Sequence, residues 1–149
     1  MAHTAKRPTR RRTRRGSLVA EPGASQTTAT VIEDIRRGYS WPLAHKFQGR
    51  LELNDAEFAS FLGVSSRTLS RWRKSETALD KVASDRLYRI MRVIKLAGEV
   101  LEDHQLGLQW LRRPQMGLGG GVPLALLDTE PGFEAVEALL QQIEYGAVS

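Results

Sequence analysis

The sequence predicts an all-α protein in which a helix-turn-helix domain is preceded by a disordered basic arm and followed by a small helical domain. Three observations predict this fold class. Capping residues flank two short segments around a glycine, apolar residues recur at helical spacing in the second half of the chain, and the start is rich in Lys and Arg. We therefore divide the chain into an arm (residues 1–30), a helix-turn-helix domain with a long linking helix (31–103) and a C-terminal domain (104–149).

The arm is defined by its composition. The segment from Lys6 to Ser17 contains seven basic residues and no acid, and Gly, Ser, Thr and Pro continue to about Thr30. Such a segment cannot bury enough apolar surface to order itself, so we expect it to be disordered. A solvated tail and an arm that holds DNA phosphates by counterion release both fit this charge.

A capping box and a glycine define the first helix of the motif. Glu57 follows Asn54 by three residues, the spacing at which each side chain satisfies a free backbone N–H group of the other. Gly63 then ends the helix, and Ser65 or Ser66 is placed to cap a second one. Two short helices about such a turn form a helix-turn-helix, although two core helices of a small bundle give the same pattern.

The second helix of the motif carries a basic outer face. Leu69 and Trp72 lie on its inner face, which leaves Arg67 and Arg71 outside, where arginine pairs with guanine through two hydrogen bonds. The candidate DNA-contacting residues are Ser66, Arg67, Ser70 and Arg71 at base edges and Arg73 and Lys74 at phosphates. A solvated basic face is the alternative interpretation.

Helices are also predicted on both sides of the motif. Residues 31–50 carry a modest helical pattern that Trp41-Pro42 interrupts, and a long helix begins beyond Thr77. Its apolar seam, of about three heptads, consists of Ala83, Leu87, Ile90, Ile94, Ala97 and Leu101. A core-facing helix and a self-associating coiled coil share this pattern, and we favour the first. A further helix is expected around residues 106–112.

The sign of the charge changes at Pro114. All 22 Lys and Arg lie in residues 1–113, together with 12 Asp and Glu, whereas residues 114–149 contain five acids and no base. The first part suits a polyanion and the second a basic partner. Within the second part, Thr129 is placed to cap a helix with Pro131 in its first turn.

Composition excludes several kinds of chemistry. The chain has no cysteine, and its three histidines, at positions 3, 45 and 104, lack metal-ligand spacing, so we expect neither thiol nor metal chemistry. No Ser-His-Asp set or carboxylate pair emerges, so we expect no enzyme and no cofactor. No stretch approaches the roughly 20 apolar residues that span a bilayer, and no apolar secretory core follows the basic start, so we expect a cytoplasmic protein without a membrane partner.

The glycine segment GLGGGVPLALLDT (residues 117–129) raises the question of phosphate binding. It lacks the Gly-Lys-Ser/Thr ending of a phosphate loop, and no strand-like run precedes it. A bound phosphate would also face five acids without a Lys or Arg. We expect the glycines to let the chain turn between helices, with Pro123, Leu124 and Leu127 as an apolar platform. A nucleotide-binding enzyme is accordingly the weakest interpretation.

One ordered set of residues carries a family resemblance. It comprises Trp110-Leu111, Pro114, Met116-Gly117-Leu118-Gly119-Gly120, Pro123-Leu124, Leu127-Asp128-Thr129, Gly132, Val136, Leu140 and Ile143-Glu144-Tyr145-Gly146. This set resembles the C-terminal toxin-binding domain of the MbcA/ParS/Xre antitoxins, and the helix-turn-helix is similar to the Xre-like half of the same proteins. Gln115 stands where members commonly have Asn, and Gly121 is an additional glycine.

The resemblance implies an antitoxin, present in two or more copies, that is paired with a RES-domain toxin, an enzyme that consumes NAD. The C-terminal domain would obstruct the toxin's active-site entrance, and the helix-turn-helix would repress the shared operon. The candidate toxin-binding residues are Met116, Leu118, Gly119, Gly120, Pro123, Leu124, Leu127, Glu144, Tyr145, Gly146 and Ser149. Glu144 and the Ser149 carboxylate would occupy basic groups of the NAD pocket as an anionic mimic, and Tyr145 would add a large contact.

The main alternative is a stand-alone helix-turn-helix regulator whose acidic C-terminal domain binds an effector or dimerises. An antitoxin is expected to copurify with a second chain, whereas a stand-alone regulator is not.

Overall fold

The computed structural model describes residues 26–146, which form eight α-helices and one 3₁₀ turn without any strand. The helices are α1 (Thr28–Arg37), α2 (Trp41–Arg50), α3 (Asp55–Leu62), α4 (Ser66–Ser75), α5 (Lys81–Val100), α6 (His104–Arg112), α7 (Pro123–Leu126) and α8 (Glu130–Gly146), and the 3₁₀ turn is Met116–Leu118. The predicted all-α class is confirmed. Most of the predicted arm, residues 1–25, lies outside the described residues.

Helix caps explain where the first two helices begin. The Thr27 side chain accepts a backbone hydrogen bond and starts α1 within the span predicted for the arm. Gly38, at φ 90°, ends α1, and the Ser40 side chain caps α2. Pro42 therefore lies in the first turn of α2, where its missing N–H is not needed. The helical segment is interrupted just before Trp41, not at the predicted Trp41-Pro42.

One hydrophobic core runs through both predicted domains, and α5 is its central element. This helix packs against α1 and α3 on the helix-turn-helix side and against α6 and α8 on the C-terminal side. Its seam is buried at Ala83, Leu87, Ile90, Ile94 and Ala97 and half-buried at Leu101. The seam faces the chain's own core, as the favoured interpretation predicted.

Ion pairs add to the contact between α5 and α8. Arg89 lies 2.8 Å from Glu130, and Arg92 lies 3.0 Å from Glu137 and stacks over the Phe133 ring at 5.6 Å. Two acids of the acidic C-terminal part are thus neutralised by cations of the basic part.

Candidate functional site

The predicted helix-turn-helix is formed by α3 and α4. The Glu57 N–H donates to the Asn54 side chain at 2.8 Å, and the Asn54 N–H donates to the Glu57 carboxylate at 2.9 Å, which completes the capping box. Gly63 ends α3 at φ 70°, a left-handed conformation that strains residues with a side chain. Ser65 caps α4. These local predictions are confirmed.

The inner face of α4 fixes the orientation of the helix. Leu69 and Trp72 are buried in the same core cluster as Phe58 and Leu62 of α3, and the small residue Ala59 is buried beside them. Because these anchors hold one side of α4 against the core, its opposite side is presented to solvent.

The outer face of α4 forms a cationic groove. The groove is lined by Arg67, Ser70, Arg71, Lys74 and Ser75, of which Ser70 alone is half-buried and the others are exposed. Ser66 is exposed at the first turn of the helix. Within residues 26–146, Arg67, Arg71 and Lys74 take part in no ion pair. Their spacing of three and four residues places the three charges along one helix face.

Arg73 has a different environment from the one predicted for a phosphate contact. Its guanidinium donates to both Asp55 carboxylate oxygens, at 2.5 and 2.7 Å, and stacks over the Trp41 ring at 5.5 Å. The Gln48 side-chain amide also donates to Asp55, at 2.8 Å. We call Trp41, Gln48, Asp55 and Arg73 the Arg73 clamp. It joins α4 to the start of α3 and to α2, and it has no counterpart in the sequence prediction.

Hydrogen bonds within the clamp favour the ionised carboxylate. The bonds from Arg73 and then from Gln48 lower the pKa of Asp55 to about 2, and the same contact raises the pKa of Arg73. The Arg73 side chain is 41% exposed and the Asp55 side chain is 51% exposed. Exposed ion pairs contribute little to global stability, so the effect of this pair is on local geometry.

The glycine segment forms a closed turn. The Gln115 N–H donates to the Gly121 carbonyl at 3.0 Å, and the Gly120 N–H donates to the Gln115 carbonyl at 2.9 Å. The Gln115 side chain donates to the carbonyls of Trp110 and Arg113, at 3.0 and 3.2 Å. The two positions at which the chain departs from the pattern that it resembles, Gln115 and Gly121, are therefore hydrogen-bonded to each other.

All three residues of the predicted apolar platform are buried. Pro123 is buried, and Leu124 and Leu127 are only 6% and 1% exposed. The reason is that α7 packs against α6 and α8, which turns these side chains into the core. In this position they support the surface of the C-terminal domain from beneath.

Most of the other predicted toxin-binding residues lie at the surface. Met116 is 95% exposed on the 3₁₀ turn, and Tyr145 is 76% exposed near the end of α8. Exposed positions also include Gly119, Gly120, Glu144 and Gly146, whereas Leu118 is half-buried and Ser149 lies outside the described residues. Met116 and Tyr145 are the two most exposed of the large apolar side chains in residues 26–146.

The capped start of α8 positions this surface. The Thr129 hydroxyl accepts from the Gly132 N–H at 3.1 Å, as the sequence predicted. The inner face of the helix is buried at Phe133, Val136 and Leu140. The outer residues near the end of the helix are thereby directed to solvent.

Sequence reasoning missed a cleft between the two predicted domains. It has a volume of about 420 Å³ and lies between residues 51–61 and residues 122–128. Three of its four charged side chains are engaged within the chain, since Glu52 lies 2.5 Å from Arg112 and Glu57 belongs to the capping box. The pair of Glu52 and Arg112 could not be read from a sequence because the two residues lie on distant segments.

Residues 26–146 contain neither a membrane-spanning helix nor a cluster of metal-binding side chains. No helix in this part of the chain is both long and apolar enough to cross a membrane. No group of three or more His, Asp or Glu side chains there is arranged to hold a metal ion.

Two family models match the chain side by side. Residues 30–92 match the antitoxin Xre-like helix-turn-helix domain, and residues 96–146 match the antitoxin Xre/MbcA/ParS C-terminal toxin-binding domain. The first match contains α3, α4 and the Arg73 clamp. The second contains the glycine turn and α8.

Relatives named Antitoxin Xre resemble the chain over most of its length. The protein from Yersinia enterocolitica is 30% identical over 139 residues, which are 92% of this chain and 94% of the relative. The protein from Photorhabdus laumondii is 29% identical over 116 residues, with 77% and 78% covered. That from Pseudomonas putida is 31% identical over 83 residues, with 56% and 52% covered.

These matches favour a non-enzymatic regulator with a toxin partner and a DNA partner over a stand-alone regulator or a nucleotide-binding enzyme. The chain belongs to the Xre family of antitoxins.

Proposed function

We propose that this antitoxin neutralises a RES-domain toxin that degrades NAD, and that it represses its own operon through α4. The observation that carries the proposal is the separation of two exposed surfaces on one core. The cationic groove lies on α4, whereas Met116 and Tyr145 are exposed on the C-terminal domain. The family supports a toxin and DNA as partners, and the resemblance of the glycine turn and the Tyr-Gly end supports the RES class.

The C-terminal domain covers the entrance to the toxin's active site. A pocket that binds NAD must attract pyrophosphate, so it presents basic groups that an acidic segment can occupy. Glu144 suits this role because it is exposed and, within the described residues, takes part in no ion pair, unlike Glu130 and Glu137. Tyr145 supplies a large contact that loses little side-chain entropy.

The helix-turn-helix binds the operator with α4 in the major groove. Arg67 and Arg71 pair with guanine, Ser66 and Ser70 contact neighbouring base edges, and Lys74 holds a phosphate. Two copies of the antitoxin place two such helices on half-sites about 34 Å apart, one helical turn of DNA. Both partners, operator DNA and an NAD-consuming toxin, place the protein in the cytoplasm.

Coexpression with the neighbouring gene tests the proposal. A tagged antitoxin is purified, the mass of the complex is measured, and cellular NAD is followed with and without the antitoxin. We expect a stable complex that contains at least two antitoxin chains, and NAD that falls only when the toxin is expressed alone. Purification of the antitoxin without a second chain, with NAD unaffected by the neighbouring gene, would instead indicate a stand-alone regulator.

A further inference from the structure

Arg73 has the charge and the position of a phosphate contact, but its side chain is already bound to Asp55. Arg73 lies on the DNA-facing helix, where an arginine is normally read as a phosphate contact. Its two terminal nitrogens, however, donate to both oxygens of Asp55, so the end-on pair of N–H groups that could hold a phosphate is already in use. The cation is also neutralised by its partner, so its approach to DNA would release few counterions.

The clamp connects three helices at one carboxylate. Asp55 is the first residue of α3, Gln48 reaches it from α2, and Arg73 reaches it from the last turn of α4. Trp41, the first residue of α2, is buried under the Arg73 guanidinium. The inner anchors Leu69 and Trp72 hold α4 against the core, and the clamp adds a second point of attachment at the side of the helix.

Given DNA binding through α4, we infer that Arg73 and Asp55 are positioning residues that set the angle at which α4 enters the major groove of DNA. Arg73 itself does not contact phosphate. In this arrangement the Asp55 carboxylate strengthens DNA binding, because it holds Arg73 and with it α4. The inference rests on the proposed DNA-binding surface and extends it, because it separates one cation of α4 from the other three.

The two hypotheses predict opposite effects of Asp55→Asn on the affinity for DNA. Removal of a negative charge near DNA normally tightens binding, and it would tighten binding further if Arg73 were released to a phosphate. If Asp55 positions α4, Asp55→Asn weakens binding because fewer molecules hold the binding-competent angle, by roughly 3- to 10-fold. Glu76→Gln is the matched control, since Glu76 is an exposed acid that directly follows α4 and, within residues 26–146, takes part in no ion pair.

Arg73 and Lys74 provide a second matched pair. The affinity for a duplex spanning the DNA upstream of the coding sequence is measured over a range of salt concentrations. Log affinity falls with log salt, and loss of one phosphate contact reduces the steepness of this fall by about 1. We therefore expect Lys74→Ala to reduce the steepness. Arg73→Ala should weaken binding while leaving the slope unchanged. Arg73→Lys, which keeps the charge but loses the planar fork, should weaken binding as well.

The outcomes separate the two hypotheses. Tighter or unchanged binding by Asp55→Asn, full binding by Arg73→Lys, or a lower slope for Arg73→Ala would overturn the positioning role. The slopes are also measured on a shuffled duplex of the same length, where phosphate contacts alone act. If the wild type does not distinguish the two duplexes, the operator proposal fails, and the slopes of Arg73→Ala and Lys74→Ala still decide whether Arg73 contacts phosphate. Circular dichroism and thermal unfolding verify that each variant is folded.

Discussion

Gly107 of α6 lies directly against Gly98 of α5, so close that a Cβ atom on Gly107 would stand 2.7 Å from the Gly98 backbone nitrogen. Any side chain at position 107 would therefore force the two backbones apart, because no flexible group is present to move aside. This crossing fixes the C-terminal domain to the helix that also supports the helix-turn-helix.

We expect Gly107→Ala to lower the free energy of unfolding by about 1–3 kcal/mol, the usual consequence of overpacking. Urea unfolding followed by circular dichroism measures it. Gly49→Ala is the matched control, since Gly49 lies in α2 and a Cβ there meets nothing within 4 Å. That change should leave stability unchanged or raise it by up to about 1 kcal/mol. Equal effects of the two substitutions would contradict the close crossing.

Replacement of Arg67 and Arg71 by Ala should abolish specific DNA binding and spare toxin inhibition. Each arginine that pairs with guanine discriminates by about 1–3 kcal/mol, so the double variant loses most of its preference for the operator. Electrophoretic mobility shifts and a toxin-rescue assay measure the two activities. A folded double variant that loses both activities would contradict the separation of the surfaces.

Deletion of residues 145–149 should abolish toxin neutralisation while leaving DNA binding intact. The deletion removes Tyr145, which is 76% exposed near the end of α8. Within the remaining chain, Glu144→Gln should weaken the complex, whereas Glu134→Gln, which removes an exposed charge earlier on α8, should not. Cell growth and NAD content report neutralisation. Full protection by the truncated chain would rule out obstruction by the terminus.

Met116 and Leu127 should differ in what their loss affects. Met116→Ala should change the free energy of unfolding by less than about 0.5 kcal/mol and weaken toxin binding, because the side chain is exposed. Leu127→Ala should lower it by about 2–5 kcal/mol through a core cavity. Thermal unfolding and calorimetric titration with toxin measure the two effects. A destabilised Met116→Ala variant would show that Met116 is part of the core.

The Asp55 carboxylate should contribute to the acid sensitivity of the fold. Its pKa is about 2 in the folded chain, because Arg73 and Gln48 stabilise the ionised form, against about 3.9 in the unfolded chain. Its contribution is therefore complete above about pH 4 and is lost as the pH falls toward about 2. Asp55→Asn should flatten the dependence of unfolding on pH slightly in this window, because solvent screens an exposed pair. A steeper dependence for the variant than for the wild type would contradict the pairing with Arg73.

Local signals in the sequence predicted the local structure well. Each of these signals depends on residues within a few positions of one another, so it can be predicted without a structure. Examples are the capping box of Asn54 and Glu57, the left-handed Gly63 and the Thr129 cap. The helix-turn-helix and the cationic face of α4 follow from these signals together with the burial of Leu69 and Trp72.

Contacts between distant segments could not be predicted. Arg73 looks like any other exposed cation of α4 until α3 brings Asp55 to it, and Glu130 looks like a free acid until α5 brings Arg89. Leu124 and Leu127 were expected at the surface because an apolar run after glycines is equally compatible with a platform and with a core. Only the packing of α7 between α6 and α8 distinguishes the two.

The ion pairs between α5 and α8 limit how this protein can be recombined with its relatives. A hybrid joined in the loop before Lys81 would inherit Arg89, Arg92, Glu130 and Glu137 from one parent and keep both pairs. A hybrid joined just before His104 would combine α5 of one parent with α8 of the other. Glu130 and Glu137 would then face whichever residues the other parent has at positions 89 and 92. Exchange of toxin specificity between such antitoxins is therefore expected to succeed when α5 travels with the C-terminal domain.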